Sequence, residues 1–284
     1  MFGKTFNFNE VMEITPFVRD NIHKGAIDEN YENPNSDLWT TCENQTGNIG
    51  GHKISEGSPL QDVLNGVYKF EIQDPLIPQT RHCYIGKSTD SLQGIKARIT
   101  QEVWRLRGYP ERGQIIKILQ NHPDCIGMNA QQRRVYFRRC VFNSPSDVTS
   151  KFFVEVPRTT DLLFFQYALN LKLKVKTSQE EIEFFANNMT FQFIDVSVNR
   201  SDSPFDDAAI SLLEAYALIK FNEAQEQNVQ PLNTRDEGEY LQNRLNDFKN
   251  QINNYEPTEI IEKLRCKKYP GEFVEFIKRA LDRI

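Results

Sequence analysis

Five short stretches of this sequence carry side chains that could act together on a phosphate ester. In chain order they are Gly66-Val67-Tyr68, Tyr84-Ile85-Gly86-Lys87-Ser88, Arg98, Glu214 and Pro231-Leu232-Asn233. Hydrolysis of a phosphodiester needs an activated water, stabilisation of charge on the nonbridging oxygens and help for the leaving oxygen. Phenols, a guanidinium and a carboxylate are side chains of the types that supply these functions.

The two tyrosine-containing stretches have the pattern of a β-hairpin. Side chains alternate over residues 67–72, so Tyr68, Phe70 and Ile72 are predicted on one face of a strand. Residues 82–85 form a second short strand that stops at Gly86. Because the two strands pair, we expect Tyr68 and Tyr84 to lie close together.

A helix is predicted directly after the hairpin. Ile95, Ile99 and Val103 recur at i, i+4 and i+8, which is typical of the buried stripe of an amphipathic helix. This helix carries Arg98 and ends at Gly108-Tyr109-Pro110. Two phenols and a guanidinium can therefore converge on one phosphate.

Together the five stretches resemble the signature of the GIY-YIG nuclease family. That signature has a GIY-like strand, a YIG-like strand, a helical arginine, a later helical glutamate, and an asparagine after a short proline segment. The resemblance covers residues 65–233, with an unusually long stretch between Arg98 and Glu214. Ordered motifs of several parts have far fewer chance matches than any one part.

The resemblance implies a fold and a division of the chain. The expected fold is α/β, with a small core of a mainly antiparallel three-stranded sheet flanked by helices. The nuclease domain would span residues 63–235 and contain an insertion at about residues 110–187. An N-terminal extension at residues 1–62 and a C-terminal helical extension at residues 236–284 would complete the chain.

Glu214 is the residue that the resemblance implies as the single protein ligand of Mg²⁺ or Mn²⁺. It lies among the apolar residues 212–219, where a carboxylate needs a partner or a metal to offset its lost hydration. The alternative is that Glu214 lies on the solvent-exposed edge of its helix. Asp161, at the start of another apolar stretch, is a rival ligand, but no Pro-Leu-Asn segment follows it.

The resemblance also implies roles for the tyrosines. Tyr68 would act as the general base for the attacking water, or assist it, and Tyr84 would orient the water or the phosphate. The usual pKa of tyrosine is near 10, so a base of this kind needs nearby cations to lower it. Lys87 and Arg98 are the candidates for lowering the pKa.

Three candidates have ordinary alternatives. Arg98 would grip phosphate oxygens, or it would form a surface ion pair with Glu102, one helical turn away. Lys87 would hold a phosphate or be a solvent-exposed lysine of a turn. Asn233 would stabilise the site by hydrogen bonds or be an ordinary turn residue.

The chain departs from the family at one position. Many members carry a histidine one turn after the helical arginine, and this chain has Glu102 there. Three explanations are open: Tyr68 suffices, His82 or His122 reaches the site from elsewhere, or activity is reduced. A lone histidine is usually structural, so no histidine is assigned to the site.

The rest of the chain has a less regular pattern. Residues 1–62 are expected to begin partly helical and to continue as a long connection. Strands are predicted at Arg133–Phe142 and Met189–Val198, and a helix is predicted from Ser203-Pro204-Phe205-Asp206. Two amphipathic helices are predicted in the tail, with stripes formed by Leu241, Leu245, Phe248 and Ile252 and by Phe273, Ile277, Leu281 and Ile284.

The charge is distributed unevenly along the chain. The formal net charge of −5 argues against a protein that coats nucleic acid indiscriminately. Between Lys96 and Cys140, however, ten basic and three acidic residues leave a net charge of +7, which is typical of one phosphate-facing surface. The cluster at residues 133–139 would contact DNA or be an edge strand protected by charge. The DNA-binding candidates are Arg105, Arg133, Arg134, Arg138 and Arg139.

The composition is that of an ordinary globular protein. Of the 284 residues, 39% are hydrophobic and 26% are charged. No run of about 18 apolar residues and no signal-peptide pattern is present, so a soluble, cytoplasmic protein without membrane contact is expected. Five widely spaced cysteines without a CxxC pair favour reduced thiols over disulfides or a zinc site.

Two hypotheses of different classes follow. The first is a metal-dependent DNA endonuclease of restriction type, because the chain shows a core with inserted elements and no zinc-finger or helix-turn-helix signature. A homodimer would fit double-strand cleavage. The alternative is a catalytically impaired nucleic-acid-binding protein on a GIY-YIG core, which Glu102 and the net acidity motivate.

Overall fold

The computed structural model describes residues 1–14, 52–61, 65–74, 79–89, 94–107, 120, 122–130, 132–133, 136, 178–196, 203–224, 228–233 and 237–282. Within these residues the architecture is mixed α/β, with a five-stranded mixed sheet, a two-stranded sheet and seven α-helices. The same residues include no helix with both the length and the apolar character needed to cross a bilayer.

The elements follow one another along the chain with short strands at its start. Their order is β1 (Phe6–Asn7), α1 (Phe8–Val11), β2 (Met12–Ile14), β3 (His52–Ile54), β4 (Gly66–Gln73), β5 (Arg81–Ser88), α2 (Gly94–Arg107), a 3₁₀ turn (Pro123–Cys125), α3 (Ser178–Asn188), β6 (Met189–Asp195), α4 (Ser203–Ala224), β7 (Val229–Pro231), α5 (Glu237–Ile252), α6 (Pro257–Cys266) and α7 (Gly271–Leu281).

The main sheet has the strand order β1-β6-β4-β5-β7. All neighbours are antiparallel except β5 and β7, which are parallel. The predicted hairpin of β4 and β5 and the strand β6 are confirmed, and they form the antiparallel centre of the sheet. The sheet has five strands and not the predicted three. The sequence did not reveal β1 and β7, because they have only two and three residues and are too short for a periodic signal.

The two faces of the sheet pack against different helices. We call the face that carries Tyr68, Phe70 and Ile72 of β4 the tyrosine face, and α1, α2 and α3 cover it. Val67 lies on the opposite face, where Ile85 and the apolar side chains of α4 join it. Helices α5, α6 and α7 pack behind α4 in the same cluster. The alternation predicted for β4 is therefore confirmed.

The glycine at the start of β4 is required by a close approach of backbone. Gly66 has a φ of 135°, and a Cβ atom there would lie 1.9 Å from the carbonyl oxygen of Ile194 in β6. Only a residue without a side chain fits this position. Gly66 thus allows β6 to pair with β4 along the strand that carries Tyr68.

The N-terminal residues belong to the folded body. Strand β1 pairs with β6 at the edge of the sheet, and Phe8 of α1 packs on the tyrosine face. The Phe8 ring lies 5.5 Å from that of Phe185 and 6.0 Å from that of Phe191, measured between centroids. The expected helical start is therefore a single short helix between two strands.

Helix α4 begins where the sequence predicts, at Ser203. Its side chains are buried almost all round from Phe205 to Leu218, because the sheet covers one side and the tail helices cover the other. Asp206 in its first turn is fully buried and forms an ion pair with Lys267, with Nζ to carboxylate distances of 2.7 and 2.8 Å. This ion pair fastens the end of α6 to α4.

The tail contains three helices, so the prediction of two is wrong. Helix α5 bears its predicted stripe, and α7 bears Phe273, Ile277 and Leu281 of the other, whose Ile284 lies outside the described residues. Helix α6 (Pro257–Cys266) lies between them. Helix α6 has Pro257 in its first turn and buries only Ile260 and Leu264. A stripe of two apolar residues is too short to stand out as a helical period.

The strand predicted at Arg133–Phe142 is wrong at its start. Arg133 is helical, and its backbone N–H donates to the carbonyl of Asn129 at 3.0 Å. Asn129 and Gln132 bond each other's backbone N–H through their side chains, both at 2.9 Å. This reciprocal capping box starts a helical turn that includes Arg133. Residues 134–135 and 137–142 of the predicted strand lie outside the described part of the chain.

Candidate functional site

Two tyrosine side chains meet on the tyrosine face of the hairpin. Tyr68 of β4 is 0% exposed and Tyr84 of β5 is half-buried. Their ring centroids are 6.1 Å apart with an interplanar angle of 50°, which is within the range of favourable aromatic pairs. The pairing of β4 with β5 therefore brings together the two phenols, as the sequence predicts.

Gly86 makes room for this pair. It lies directly opposite Tyr68 in the strand register. A Cβ atom at position 86 would lie 2.6 Å from both Cζ and Oη of Tyr68 and 2.9 Å from Cε1 of Tyr84. The Tyr68 phenol thus lies over the backbone of β5 at Gly86, and a side chain at position 86 would occupy the space of the phenol.

Gly86→Ala should therefore displace the Tyr68 phenol. We expect a loss of about 1–3 kcal/mol in the free energy of unfolding from overpacking, and a fall in any activity of this site of roughly 100-fold from misplacement. Thermal melts and single-turnover rates measure the two effects. Gly271→Ala, where an added Cβ meets nothing within 4 Å, is the matched control. Unchanged activity in a folded Gly86→Ala variant would contradict the placement.

The Tyr68 hydroxyl is one of the buried polar groups of the hairpin. Among the described residues it is fully buried and has no hydrogen-bond partner. Burial raises the pKa of Tyr68 well above its usual value, Tyr84, Glu102 and Glu214 raise it further, and Arg98 lowers it. These four side chains are thus all near enough to act on the phenol electrostatically.

This result overturns one expectation from the sequence. Arg98 does lower the pKa of Tyr68, but burial outweighs it and Lys87 is not among the main causes. The net shift is upward because desolvation disfavours the phenolate. At neutral pH the Tyr68 hydroxyl therefore keeps its proton, and it could only donate a hydrogen bond to a group that is not among the described residues.

Arg98 is the exposed member of the group. It lies on α2, and its Nη1 donates to Oε1 of Gln101 at 3.1 Å. The alternative of a surface ion pair with Glu102 does not hold, since Glu102 is 1% exposed and Arg98 bonds Gln101 instead. The guanidinium is therefore exposed to solvent, whereas Tyr68, Glu102 and Glu214 are buried.

Glu214 is buried rather than placed on an exposed edge of α4. Its side chain is 4% exposed, so the alternative of a solvated position is wrong. The hydroxyl of Tyr240 on α5 donates to Glu214 Oε2 at 2.7 Å. The apolar neighbours of Glu214 on α4 pack on the face of the sheet opposite to the tyrosines, yet Glu214 still acts on the Tyr68 phenol. Tyr240 has no signal in the sequence, because the pairing of α5 with α4 is a tertiary event.

Lys87 lies on the other side of the sheet from the tyrosines. It is opposite Val67 in the register, and its Nζ contacts the hydroxyl of Ser211 on α4. Side chains alternate between the two faces of a strand, so the side chain of Lys87, next to Gly86, points away from the tyrosine face. Lys87 is therefore not an exposed turn lysine, and its side chain lies on the face of the sheet opposite to the two phenols.

The histidines have other partners. His82 Nε2 bonds Asp74 Oδ2 at 2.6 Å, and both residues are buried. His82 lies opposite Ile72, four residues along β4 from Tyr68, or about 13 Å away. His122 accepts a hydrogen bond from the backbone N–H of Asp124 at 3.3 Å. These contacts make both histidines structural.

Asn233 extends the parallel ladder between β7 and β5 with its side chain. The last backbone hydrogen bond between the two strands runs from the N–H of Leu232 to the carbonyl of Cys83, at 2.7 Å. The Asn233 amide then accepts from Ile85 N–H at 2.9 Å and donates to the Ile85 carbonyl at 2.8 Å. Both bonds are buried, and they hold β5 between Tyr84 and Gly86. Asn233 is therefore a positioning residue of the tyrosine-bearing strand rather than an ordinary turn residue.

Asn233→Ala should loosen this strand. The change leaves the buried N–H and carbonyl of Ile85 without the amide, which costs roughly 2–4 kcal/mol of unfolding free energy. Urea denaturation measures the loss. Gln230→Ala, an exposed position on the same short strand β7, should stay within about 0.5 kcal/mol of the parent. Equal stabilities of the two variants would rule out the role of the amide.

The predicted DNA-binding residues lie largely outside the described part of the chain. Arg133 is described, and its Nη1 donates to the Met128 carbonyl at 3.0 Å. Arg105 is placed on α2 by its backbone, but its side chain is not described. Arg134, Arg138, Arg139 and the rival ligand Asp161 lie outside the described residues.

The chain was compared with protein-family models, with curated proteins and with solved structures, and none of the three comparisons found a match.

Proposed function

We propose that this chain is a metal-dependent endonuclease of the GIY-YIG type, which hydrolyses phosphodiester bonds of DNA. The observation that carries the proposal is the buried Tyr68 hydroxyl, which has no hydrogen-bond partner among the described residues. Tyr84, Glu102, Arg98 and Glu214 all act on its pKa, Glu214 from α4, which packs on the opposite face of the sheet. A buried donor without a protein partner is costly, so this phenol is suited to hold a water or a phosphate oxygen.

The proposed cation would have one protein carboxylate as ligand, since the described residues contain no cluster of three or more His, Cys, Asp or Glu side chains that could hold a metal. Glu214 supplies a buried carboxylate, and the hydroxyl of Tyr240 holds one of its oxygens. Mg²⁺ prefers oxygen ligands and is commonly bound through one or two carboxylates, with water and substrate phosphate completing its shell. Glu214 would hold the ion, and Mg²⁺ or Mn²⁺ bound there would supply Lewis-acid stabilisation of the scissile phosphate.

The burial of the side chains suggests how they divide the work. Exposed Arg98 can bind nonbridging oxygens through two parallel N–H donors. Tyr84 is half-buried and can orient the phosphate, while Tyr68 lies beneath it and donates a hydrogen bond to the attacking water. Asn233 acts through Ile85 by holding the strand that carries Tyr84. Lys87 has no part in this arrangement.

We further propose double-stranded DNA as the partner and restriction-type cleavage as the activity. The stretch of sequence between Lys96 and Cys140, which includes Arg98, carries a net charge of +7 and so favours binding of phosphates by this part of the chain. A homodimer would allow two identical sites to cut two strands.

Cleavage of supercoiled plasmid tests the proposal. The protein is incubated with plasmid DNA and Mg²⁺ or Mn²⁺, with EDTA as control, and nicked and linear products are quantified. Metal-dependent cleavage is expected. Binding to DNA without cleavage, measured by fluorescence anisotropy, would instead support a nucleic-acid-binding protein on a disabled nuclease core. If the protein neither binds nor cleaves DNA, both functions are refuted.

A further inference from the structure

The hydroxyl of Tyr240 reaches across a helix interface to a buried carboxylate. Tyr240 lies on α5 and donates to Oε2 of Glu214 on α4 at 2.7 Å. This distance is typical of the charge-assisted bond between a hydroxyl and a carboxylate, which is about twice as strong as a bond between neutral groups. The contact therefore restrains the orientation of the Glu214 side chain, which is only 4% exposed.

The Tyr240 ring is itself held in place by its own helix and by the core. The guanidinium of Arg244, one turn further along α5, lies over the ring with its Cζ 5.1 Å from the centroid. Arg244 Nη1 in turn donates to the carboxylate of Asp247 at 2.8 Å. The ring also packs against the apolar cluster that α4 and α5 share. A donor whose ring is fixed in this way can hold its acceptor in a defined position.

The bond from Tyr240 leaves the carboxylate able to bind a cation. A carboxylate offers about four lone-pair sites on its two oxygens, and the hydroxyl uses one of those on Oε2. Carboxylates that bind metals are themselves commonly hydrogen-bonded, and loss of such a bond lowers metal affinity or activity by about 10- to 100-fold. An ion held by one carboxylate depends on the orientation of that carboxylate, because no second protein ligand compensates for a misplaced one.

We propose that Tyr240 is the positioning residue of the metal ligand, and that its hydroxyl orients Glu214 for binding of the divalent cation. The assignment rests on the proposed nuclease function, in which Glu214 holds Mg²⁺ or Mn²⁺. Tyr240 lies in the tail, outside residues 65–233, to which the resemblance with the GIY-YIG family extends. The tail thus contributes to the site a group that the family's motif does not contain.

Tyr240→Phe tests the assignment, because it removes the hydroxyl and keeps the ring that contacts Arg244. Electron paramagnetic resonance of free Mn²⁺ measures the Kd of the ion without any need for activity, at a temperature well below the melting transition. We expect this Kd to rise by about 10- to 100-fold. Tyr255→Phe, which removes the hydroxyl of another partly buried tyrosine of the tail, should keep the parental Kd.

The dependence of cleavage on Mn²⁺ concentration separates positioning from a general loss of packing. In Tyr240→Phe the concentration for half-maximal rate should rise as the Kd does, while the rate at saturating Mn²⁺ stays close to that of the parent. If Tyr240→Phe does not fold, Arg244→Met takes its place, since it leaves the hydroxyl and frees the ring. Its Kd for Mn²⁺ should rise by about 2- to 5-fold, the equivalent of an exposed cation–π contact.

Three results would overturn the assignment. They are a parental Kd for Mn²⁺ in folded Tyr240→Phe, an equal rise of the Kd in Tyr255→Phe, and, where Tyr240→Phe does not fold, a parental Kd in Arg244→Met. Failure of the proposed function gives a different pattern. A parent protein that binds Mn²⁺ no more tightly than Glu214→Gln refutes the metal site itself, whatever the variants of Tyr240 show.

Discussion

Glu214→Gln should abolish metal-dependent cleavage while the protein still folds and binds DNA. The carboxylate is the proposed ligand of the cation, whose Lewis-acid contribution of several kcal/mol corresponds to a rate loss of roughly 10³-fold or more. Glutamine has the same shape and can still accept the hydrogen bond of Tyr240, so the packing between α4 and α5 should persist. Single-turnover cleavage of plasmid DNA gives the rate, and Mn²⁺-dependent shifts in melting temperature report binding of the ion.

The control for this variant lies on the same helix. Glu223 is exposed on α4 and pairs with Lys220, so Glu223→Gln removes the same charge from a solvated position. We expect it to retain the parental rate and the stabilisation by Mn²⁺. If Glu214→Gln cleaved plasmid DNA at the parental rate, the proposed catalytic role of Glu214 would be refuted.

Lys267→Met should destabilise the whole fold. Removing the ammonium leaves the carboxylate of Asp206 buried at 0% exposure without its cation. Breaking a buried pair in this way costs about 3–5 kcal/mol. For a domain of this size the melting temperature should fall by roughly 6–20 °C. Urea denaturation and thermal melts measure the change.

Two comparisons make this prediction specific. Lys278→Met removes an exposed lysine of α7 and should change the unfolding free energy by less than about 0.5 kcal/mol. Adding Asp206→Leu to Lys267→Met removes the stranded carboxylate and should recover much of the loss, as replacement of buried ion pairs by apolar residues often does. If the single and double variants were equally unstable, packing of the Lys267 stem rather than charge would be responsible.

This ion pair also matters for the candidate site. Asp206 and Glu214 both lie on α4, and the tail helices hold each of them through Lys267 and Tyr240. The tail helices, predicted as a C-terminal helical extension, therefore share the hydrophobic core of α4, the helix that carries Glu214. Moderate destabilisation of the tail should reduce the activity of the site before the protein unfolds.

The sequence alone was enough to predict the elements that have a strong local pattern. The alternation over residues 67–72 predicts β4 and the two faces of its side chains, and the stripe of Ile95, Ile99 and Val103 predicts α2. Ser203-Pro204 predicts the start of α4. Each of these signals is carried by neighbours in the chain, so it survives whatever the rest of the fold does. The approach of Tyr68 to Tyr84 follows from the hairpin for the same reason.

Tertiary structure decided the features that depend on distant parts of the chain. Short β1 and β7 exist only because they pair with β6 and β5, and α6 is stable because its two buried side chains join the cluster to which α4, α5 and α7 contribute. No local sequence pattern predicts three contacts between distant residues: the hydrogen bonds of Asn233 with Ile85, the bond from Tyr240 to Glu214, and the contact of Lys87 with Ser211. The pKa of Tyr68 was likewise decided by burial, since cations near in sequence could not outweigh desolvation in the folded core.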